Sequence, residues 1–193
     1  MPMGSRRDQY GSWAARWRVS LGLVLSISYL VLAQPTLGRL AAGGGVALMG
    51  LALRAWAAGH LEKGSSLAVS GPYAFTRNPL YLGSSLIGAG FAIAGRSYAM
   101  AVAFAALLIF IYAPVIRREE EFLGVKFGEQ YRRYAEQVPL FLPRPGARAV
   151  TPERFRWSRY KRNGEYEAAL GYLAAMGLLT LKMMLRSRLP NFL

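Results

Sequence analysis

Two short polar clusters hold the residue types able to do chemistry. The first runs Gly71-Pro72-Tyr73, then Arg77-Asn78-Pro79-Leu80-Tyr81-Leu82-Gly83; the second runs Arg117-Arg118-Glu119-Glu120-Glu121, then Phe127-Gly128 and Tyr131. Both abut apolar sequence. Pro72 and Pro79 fix the backbone, and Pro79 biases Asn78 toward an extended conformation, so Asn78 and Tyr81 acquire a set direction before the next helix begins. Polar groups arranged in advance at a helix N-terminus suit a ligand with a carboxylate or a polar ring edge. The chain has only 10 acidic residues, and three of them stand in a row here. A favourable helix dipole accounts for one or two of these; a carboxylate at this place also suits the ribose hydroxyls or amino group of a polar cofactor. An aromatic belt with a snorkelling Arg would explain Tyr73, Arg77 and Tyr81 without chemistry. Such a belt, however, requires neither the two prolines nor the Asn.

The elements that must position these clusters are membrane helices. Of 193 residues 53% are hydrophobic and 18% charged, with a mean hydropathy of +0.21; a soluble domain carries roughly a quarter charged residues. The apolar residues fall into five runs, 19–33, 37–58, 80–94, 98–115 and 168–185, each nearly free of acids. A spanning helix needs about 20 such residues. The second and fourth runs meet this outright, the first does so with Trp17, Arg18 and Pro35 as its ends, the third is short and the fifth is interrupted by Lys182. The expected fold class is therefore all-α, a polytopic membrane bundle of four to five helices. The whole chain reads as one domain, 1–193, with a core motif region 51–143 and a C-terminal part, 150–193, made of an interfacial segment and a fifth membrane helix.

Charge placement sets the topology. The net charge of +14 does not indicate nucleic acid, because the basic residues flank apolar runs: Arg6, Arg7, Arg16 and Arg18 before the first, Arg117, Arg118, Lys126, Arg132 and Arg133 after the fourth. This is the positive-inside pattern with attraction to anionic headgroups. The N-terminus, the loop 58–79 and the sequence after residue 115 then lie in the cytoplasm, whether the membrane is a bacterial or archaeal inner membrane or the endoplasmic reticulum. Both clusters fall on that face, with residues 119–134 expected as an amphipathic helix lying at the interface and Val138 to Pro145 as a proline-punctuated strap. There is no Cys and a single His, His60, which excludes a disulfide framework, a thiol nucleophile and a multi-His metal site. Gly43, Gly44, Gly45, Gly83, Gly88 and Gly90 do not form a dinucleotide loop; small residues in spans let helices approach closely. Arg54 lies inside the second run, a snorkelling residue or a site residue.

Taken in order, these motifs resemble the isoprenylcysteine carboxyl methyltransferase family and, more loosely, the phospholipid methyltransferases. The family pattern is a Gly-x-Tyr, an Arg-His-Pro-x-Tyr-x-Gly, a hairpin, a Glu-Glu-x-x-Leu, then Phe-Gly-x-x-Tyr-x-x-Tyr and a proline strap. Here these elements stand as Gly71 to Tyr73, Arg77 to Gly83, Glu119-Glu120 with Leu123, Phe127-Gly128, Tyr131, Tyr134, and Pro139 to Pro143. The resemblance implies an integral membrane enzyme that uses S-adenosylmethionine on a lipophilic or prenylated acceptor, with the bilayer as partner and neither metal nor nucleic acid required. Its cofactor contacts would fall on Leu67, Ala68, Tyr73, Asn78, Pro79, Leu80, Tyr81, Glu119 and Glu120. Arg77 and Tyr81 would carry the catalytic roles, and Arg54, Arg117 and Arg118 acceptor binding. Family members usually have His where Asn78 stands, and Asn does not titrate near neutral pH. The family's substrate-contacting Arg falls on Val115 here. Methyl transfer from a sulfonium needs alignment and exclusion of water rather than a metal, with Tyr73 and Tyr81 placed for cation–π contact. Two other classes share parts of the pattern: a membrane NADPH-dependent sterol-type reductase, whose similar loop is followed by Gly-Glu where this chain has Gly83-Ser84, and a non-catalytic membrane scaffold.

Overall fold

A computed structural model describes residues 27–62, 64–143 and 153–188. Among them the chain is helical, with no strand. In order the elements are α1 (27–32), α2 (Leu37–His60), a 3₁₀ turn (Gly71–Ala74), α3 (Pro79–Gly95), α4 (Tyr98–Leu107), a π-turn (Leu108–Tyr112), α5 (Ala113–Phe127), α6 (Glu129–Gln137), α7 (Trp157–Arg162) and α8 (Tyr166–Arg188). Three helical stretches are long and apolar enough to cross a bilayer: Leu37–His60, Ala101–Phe127 and Tyr166–Arg188. The 24 residues of α2 extend about 36 Å, against a hydrocarbon core of about 30 Å. The third expected span is shorter, with 17 residues in α3, or about 26 Å. Most of the first expected span, with Trp17 and the basic residues Arg6 to Arg18 ahead of it, lies outside the described residues.

Close backbone approach joins α2 to α3. Gly43, Ala47 and Gly50 face Gly83, Gly90 and Ala94. A methyl group on Gly90 would sit 2.5 Å from the Ala47 nitrogen and the Gly43 carbonyl oxygen, and one on Gly50 would sit 2.5 Å from the Gly83 carbonyl oxygen. The packing role expected of the glycines is thus met at Gly43, Gly83 and Gly90. Gly44 serves α8 instead, against Tyr172 and Met176, and Gly45 faces open space.

The fifth run forms a full helix in spite of Lys182. Its ammonium donates to the carbonyls of Leu30 (2.5 Å) and Val31 (2.7 Å) at the end of α1, where unsatisfied carbonyls carry partial negative charge. Nearby, Ala33, Leu40, Ala94 and Leu179 form a buried apolar cluster that joins α1, α2, α3 and α8. The Gln34 amide donates to the Gly95 carbonyl (2.7 Å), which puts the α1–α2 and α3–α4 turns at one end of the bundle. The other end carries the loop 61–78 and α5 to α7.

One expected element is built differently. Residues 119–134 are not a separate interfacial helix: α4, the π-turn and α5 continue one another as far as Phe127. Pro114 lacks the N–H that would bond the Phe110 carbonyl, and a π-turn absorbs that loss without ending the helix. The break comes at Gly128, whose φ of 52° favours glycine, and the short amphipathic helix is α6.

Gly90→Val should therefore wedge α2 from α3, at about 1–3 kcal/mol, and lower the melting temperature of the detergent-purified protein by roughly 3–10 °C. Gly45→Ala, by contrast, adds a methyl group in open space on α2 and should hold the melting temperature or raise it slightly, glycine costing about 0.5–1 kcal/mol relative to alanine inside a helix.

Candidate active site at the membrane boundary

The loop between α2 and α3 is shaped first by Gly71, whose φ is 59° and whose Cα lies so close to His60 that a methyl group there would be 2.7 Å from the imidazole ring. The single His is thereby a packing residue. Its Nδ1 lies 2.9 Å from the Trp56 carbonyl and its ring meets Trp56 and Phe155 edge-on. Beyond the 3₁₀ turn, three consecutive residues grip three consecutive carbonyls of the strap. The Arg77 amide donates to Pro139 (2.9 Å), the Asn78 side-chain amide to Leu140 (3.0 Å) and the Thr76 hydroxyl to Phe141 (2.8 Å). Asn78, at φ −126° and ψ 55°, stops short of the extended conformation that Pro79 favours. Its carbonyl opens α3 by accepting from the Leu82 amide.

The second cluster meets this loop directly. The Tyr81 hydroxyl donates to Glu119 at 3.2 Å. The Arg77 guanidinium pairs with Glu120, which also accepts from the Tyr131 hydroxyl at 2.8 Å. The Tyr134 hydroxyl donates to the Tyr73 carbonyl at 2.8 Å, tying α6 to the 3₁₀ turn. Arg77 Nε is buried with no hydrogen-bond partner among the described residues. Burial, reinforced by the hydrogen bond to Glu120, pushes the Tyr131 phenol up to about 12. Burial also raises Tyr134 and, more strongly, Tyr73, to which the charges of Glu119 and Glu165 add. These phenols remain protonated donors through the neutral range.

The C-terminal segment supplies the remaining wall. Glu165 binds Arg54 in a two-pronged pair, 2.9 Å to Nε and 2.7 Å to the terminal nitrogen, while the other terminal nitrogen of Arg54 donates to the Ser84 hydroxyl at 2.6 Å. Arg54 thus neither snorkels nor stands free. Arg159 on α7 is buried and joins Glu62 (2.7 Å) to Glu153 (2.6 Å), holding the Glu153 carboxyl below its ordinary range through that hydrogen bond. The Asn163 amide donates to the carbonyls of Ala58 and Leu61 and so closes the end of α2. Lys126 donates to the Gly64 carbonyl at 2.7 Å, drawing the loop against α5.

Together these groups surround a cavity of about 480 Å³. All nine residues expected at a cofactor line it: Leu67, Ala68, Tyr73, Asn78, Pro79, Leu80, Tyr81, Glu119 and Glu120. Arg77 and Arg54 line it as well. Arg117 and Arg118 do not: both are exposed, because the helical period of α5 turns them away from the face shared by Glu119, Glu120, Leu123 and Phe127. Glu121 stays off the lining with them. Sequence reasoning missed Glu165 and Tyr112. The signal for Glu165 was Arg54 itself, since an Arg within an apolar run calls for a named counter-ion. Among the described residues no three His, Asp or Glu side chains gather as a metal site.

Comparison with known proteins agrees with the motifs. Residues 46–130 match the family model for phospholipid methyltransferase. The chain is 34% identical over 137 residues to the cobalt-zinc-cadmium resistance protein CzcN of Cupriavidus metallidurans, covering 70% of this chain and 55% of that protein. It is 30% identical over 137 residues to the nickel-cobalt-cadmium resistance protein NccN of Alcaligenes xylosoxydans xylosoxydans, covering 70% and 56%. The aligned part of the chain thus spans about half the length of the curated relatives it matches. No solved structure matches.

Two measurements check this geometry. Arg77→Met leaves Glu120 without its counter-charge and should cost about 2–3 kcal/mol, less than the 3–5 of a fully buried pair because both side chains keep some solvent contact. The double change Arg77→Met with Glu120→Leu should recover part of that loss in chemical denaturation. Because the folded protein holds the Tyr131 proton up to about 12 whereas an unfolded Tyr releases it near 10, stability is intact below pH 10 and falls as pH rises toward 12. The fall in melting temperature across that window should be shallower in Tyr131→Phe, the remainder coming from Tyr73 and Tyr134, whose phenols burial also raises.

Proposed function

We propose that this chain, whose residues 46–130 carry the phospholipid methyltransferase pattern, is an integral membrane methyltransferase that draws on S-adenosylmethionine and methylates a lipophilic acceptor. The observation that carries this reading is the convergence of the two clusters on one cavity, through Tyr81 with Glu119 and Arg77 with Glu120. The residues fit such a cofactor. About 480 Å³ lies within the roughly 300–1,000 Å³ of small-molecule sites, and carboxylates, phenols and apolar side chains share the lining. When bound, S-adenosylmethionine supplies a methyl group on a positively charged sulfonium.

The chain's own residues would act by position. Glu119 accepts one hydrogen bond from Tyr81 and keeps lone pairs for ribose hydroxyls or an amino group. Leu67 and Ala68, in irregular backbone on the loop side, offer main-chain groups to a ring edge. The rings of Tyr73 and Tyr81 can face a cation at about 0.5–2 kcal/mol each. Tyr112 packs edge-on against Tyr81 with centroids 5.5 Å apart and fixes that ring. Glu120, Arg77 and Tyr131 hold the wall together, while the strap covers Thr76 and Asn78 and so keeps water out. Ser84, Leu80 and Tyr112 form the side nearest the spans, where an apolar acceptor would enter from the bilayer. Exposed Arg117, Arg118, Arg132 and Arg133 at this end of the bundle favour a cytoplasmic site.

Equilibrium binding of labelled S-adenosylmethionine to the purified full chain tests the reading. Saturable binding is expected, weakened at least roughly tenfold, about 1.4 kcal/mol, by Glu119→Ala and by Tyr81→Ala. Saturable NADPH binding in its place would favour the reductase, and binding of neither nucleotide would favour the scaffold.

A further inference from the structure

One carboxylate of the cavity lies outside the segment that matches the family, and its surroundings differ from those of Glu119. Glu165 sits just before α8, after Gly164 in a left-handed turn with φ of 71°. Its side chain is 9% exposed. Both oxygens face Arg54, and Arg54 is in turn committed to Ser84. Four of the five guanidinium N–H groups are engaged, counting a long contact to the Leu80 carbonyl at 3.4 Å, so Arg54 has little left to offer a ligand. A carboxylate has about four lone-pair sites, of which Arg54 uses two. What this end of the cavity presents is therefore acceptor capacity backed by a negative charge whose orientation is locked.

We infer that Glu165, positioned by Arg54 and Ser84, is the acceptor-facing group of the site, and that it selects a nucleophile bearing an N–H, O–H or S–H rather than a carboxylate. This rests on the methyltransferase reading above. Of the other cavity-lining cations, Arg77 is paired with Glu120, and Lys126 reaches the Gly64 carbonyl of the loop ahead of α3. A carboxylate acceptor, which has no hydrogen to donate, would find the Arg54 donors already taken and only acceptor oxygens facing it. A neutral amine, hydroxyl or thiol would donate to Glu165. During transfer the nucleophile's lone pair forms the bond to the methyl carbon, and the sulfur–methyl bond breaks with its electron pair kept by sulfur. Positive charge then arrives on the acceptor atom, where a preorganised carboxylate stabilises it. The acceptor's proton leaves to Glu165 and from there to water. Arg54 is a positioning residue in this scheme, because it acts through Glu165.

The test uses membranes from cells that express the full chain, incubated with methyl-labelled S-adenosylmethionine and then treated with alkali. A methyl ester releases its label as volatile methanol, whereas N-methyl, O-ether and S-methyl products keep it. Alkali-stable label is expected; label released by alkali would overturn the inference. Glu165→Gln should reduce labelling at least about 100-fold while cofactor affinity of the purified variant stays within about threefold, which also shows that it folds. Glu165→Asp keeps the charge and should restore part of the labelling, with an acid limb in its pH–rate profile that Glu165→Gln lacks. Labelling by Glu165→Gln within threefold of the parent would sink the assignment. A parent protein that neither binds nor transfers the label would fail the methyltransferase reading itself, and this inference with it.

Discussion

Arg77 and Glu120 meet across the α3–α4 hairpin, and the rest of the site depends on their meeting. Arg77 belongs to the loop ahead of α3, Glu120 to α5 in the α4–α5 rod, and the two are separated by the whole of α3 and α4. Their pairing fixes the distance between the loop and α5, and Tyr131 adds α6 to the same carboxylate. With that contact in place, Tyr81 falls within reach of Glu119 and the cavity acquires its wall. Coulombic attraction between such groups is strong only where water is scarce, and both side chains are largely shielded from it. The same scarcity makes an unpaired partner costly.

The apolar half of the protein serves this arrangement through backbone proximity. Gly43, Gly50, Gly83 and Gly90 let α2 and α3 run nearly in contact. Arg54, one α-helical turn beyond Gly50, consequently lands beside Ser84, the first polar side chain of α3 to face it. Larger residues at the crossing would push Arg54 away from α3 and open the cavity to lipid. In lipid, packing and hydrogen bonding replace the hydrophobic effect as the force between helices. Lys182 bonded to the last carbonyls of α1 and Tyr172 bonded to the Gly44 carbonyl show α8 held in that way.

The places where sequence reasoning and structure part company have local physical causes. Arg117 and Arg118 adjoin the glutamates in the chain, but with a helix turning about 100° per residue Glu119, Leu123, Phe127 and Glu120 share one arc of α5 that excludes both arginines. The helix expected at 119–134 was divided differently because Pro114 can be absorbed by a π-turn, whereas Gly128 cannot be crossed by a regular helix. Glu120, expected as a cofactor contact, also holds Arg77 and Tyr131 through one of its two oxygens, which no one-dimensional pattern reveals.

The sequence by itself determined what is repeated or contiguous. It set the lengths of the apolar runs, the fixed order of the two polar clusters and the prolines that stiffen the loop, and these identify a membrane bundle and a family pattern. Tertiary structure alone decided which charges neutralise one another. Arg54 found Glu165 across 111 positions and Arg159 found Glu62 across 97, bringing a segment outside the motif region into the cavity. Such pairings depend on how helices cross and on which groups lose water together. Those energies are set by distances in space, and spacing along the chain does not encode them.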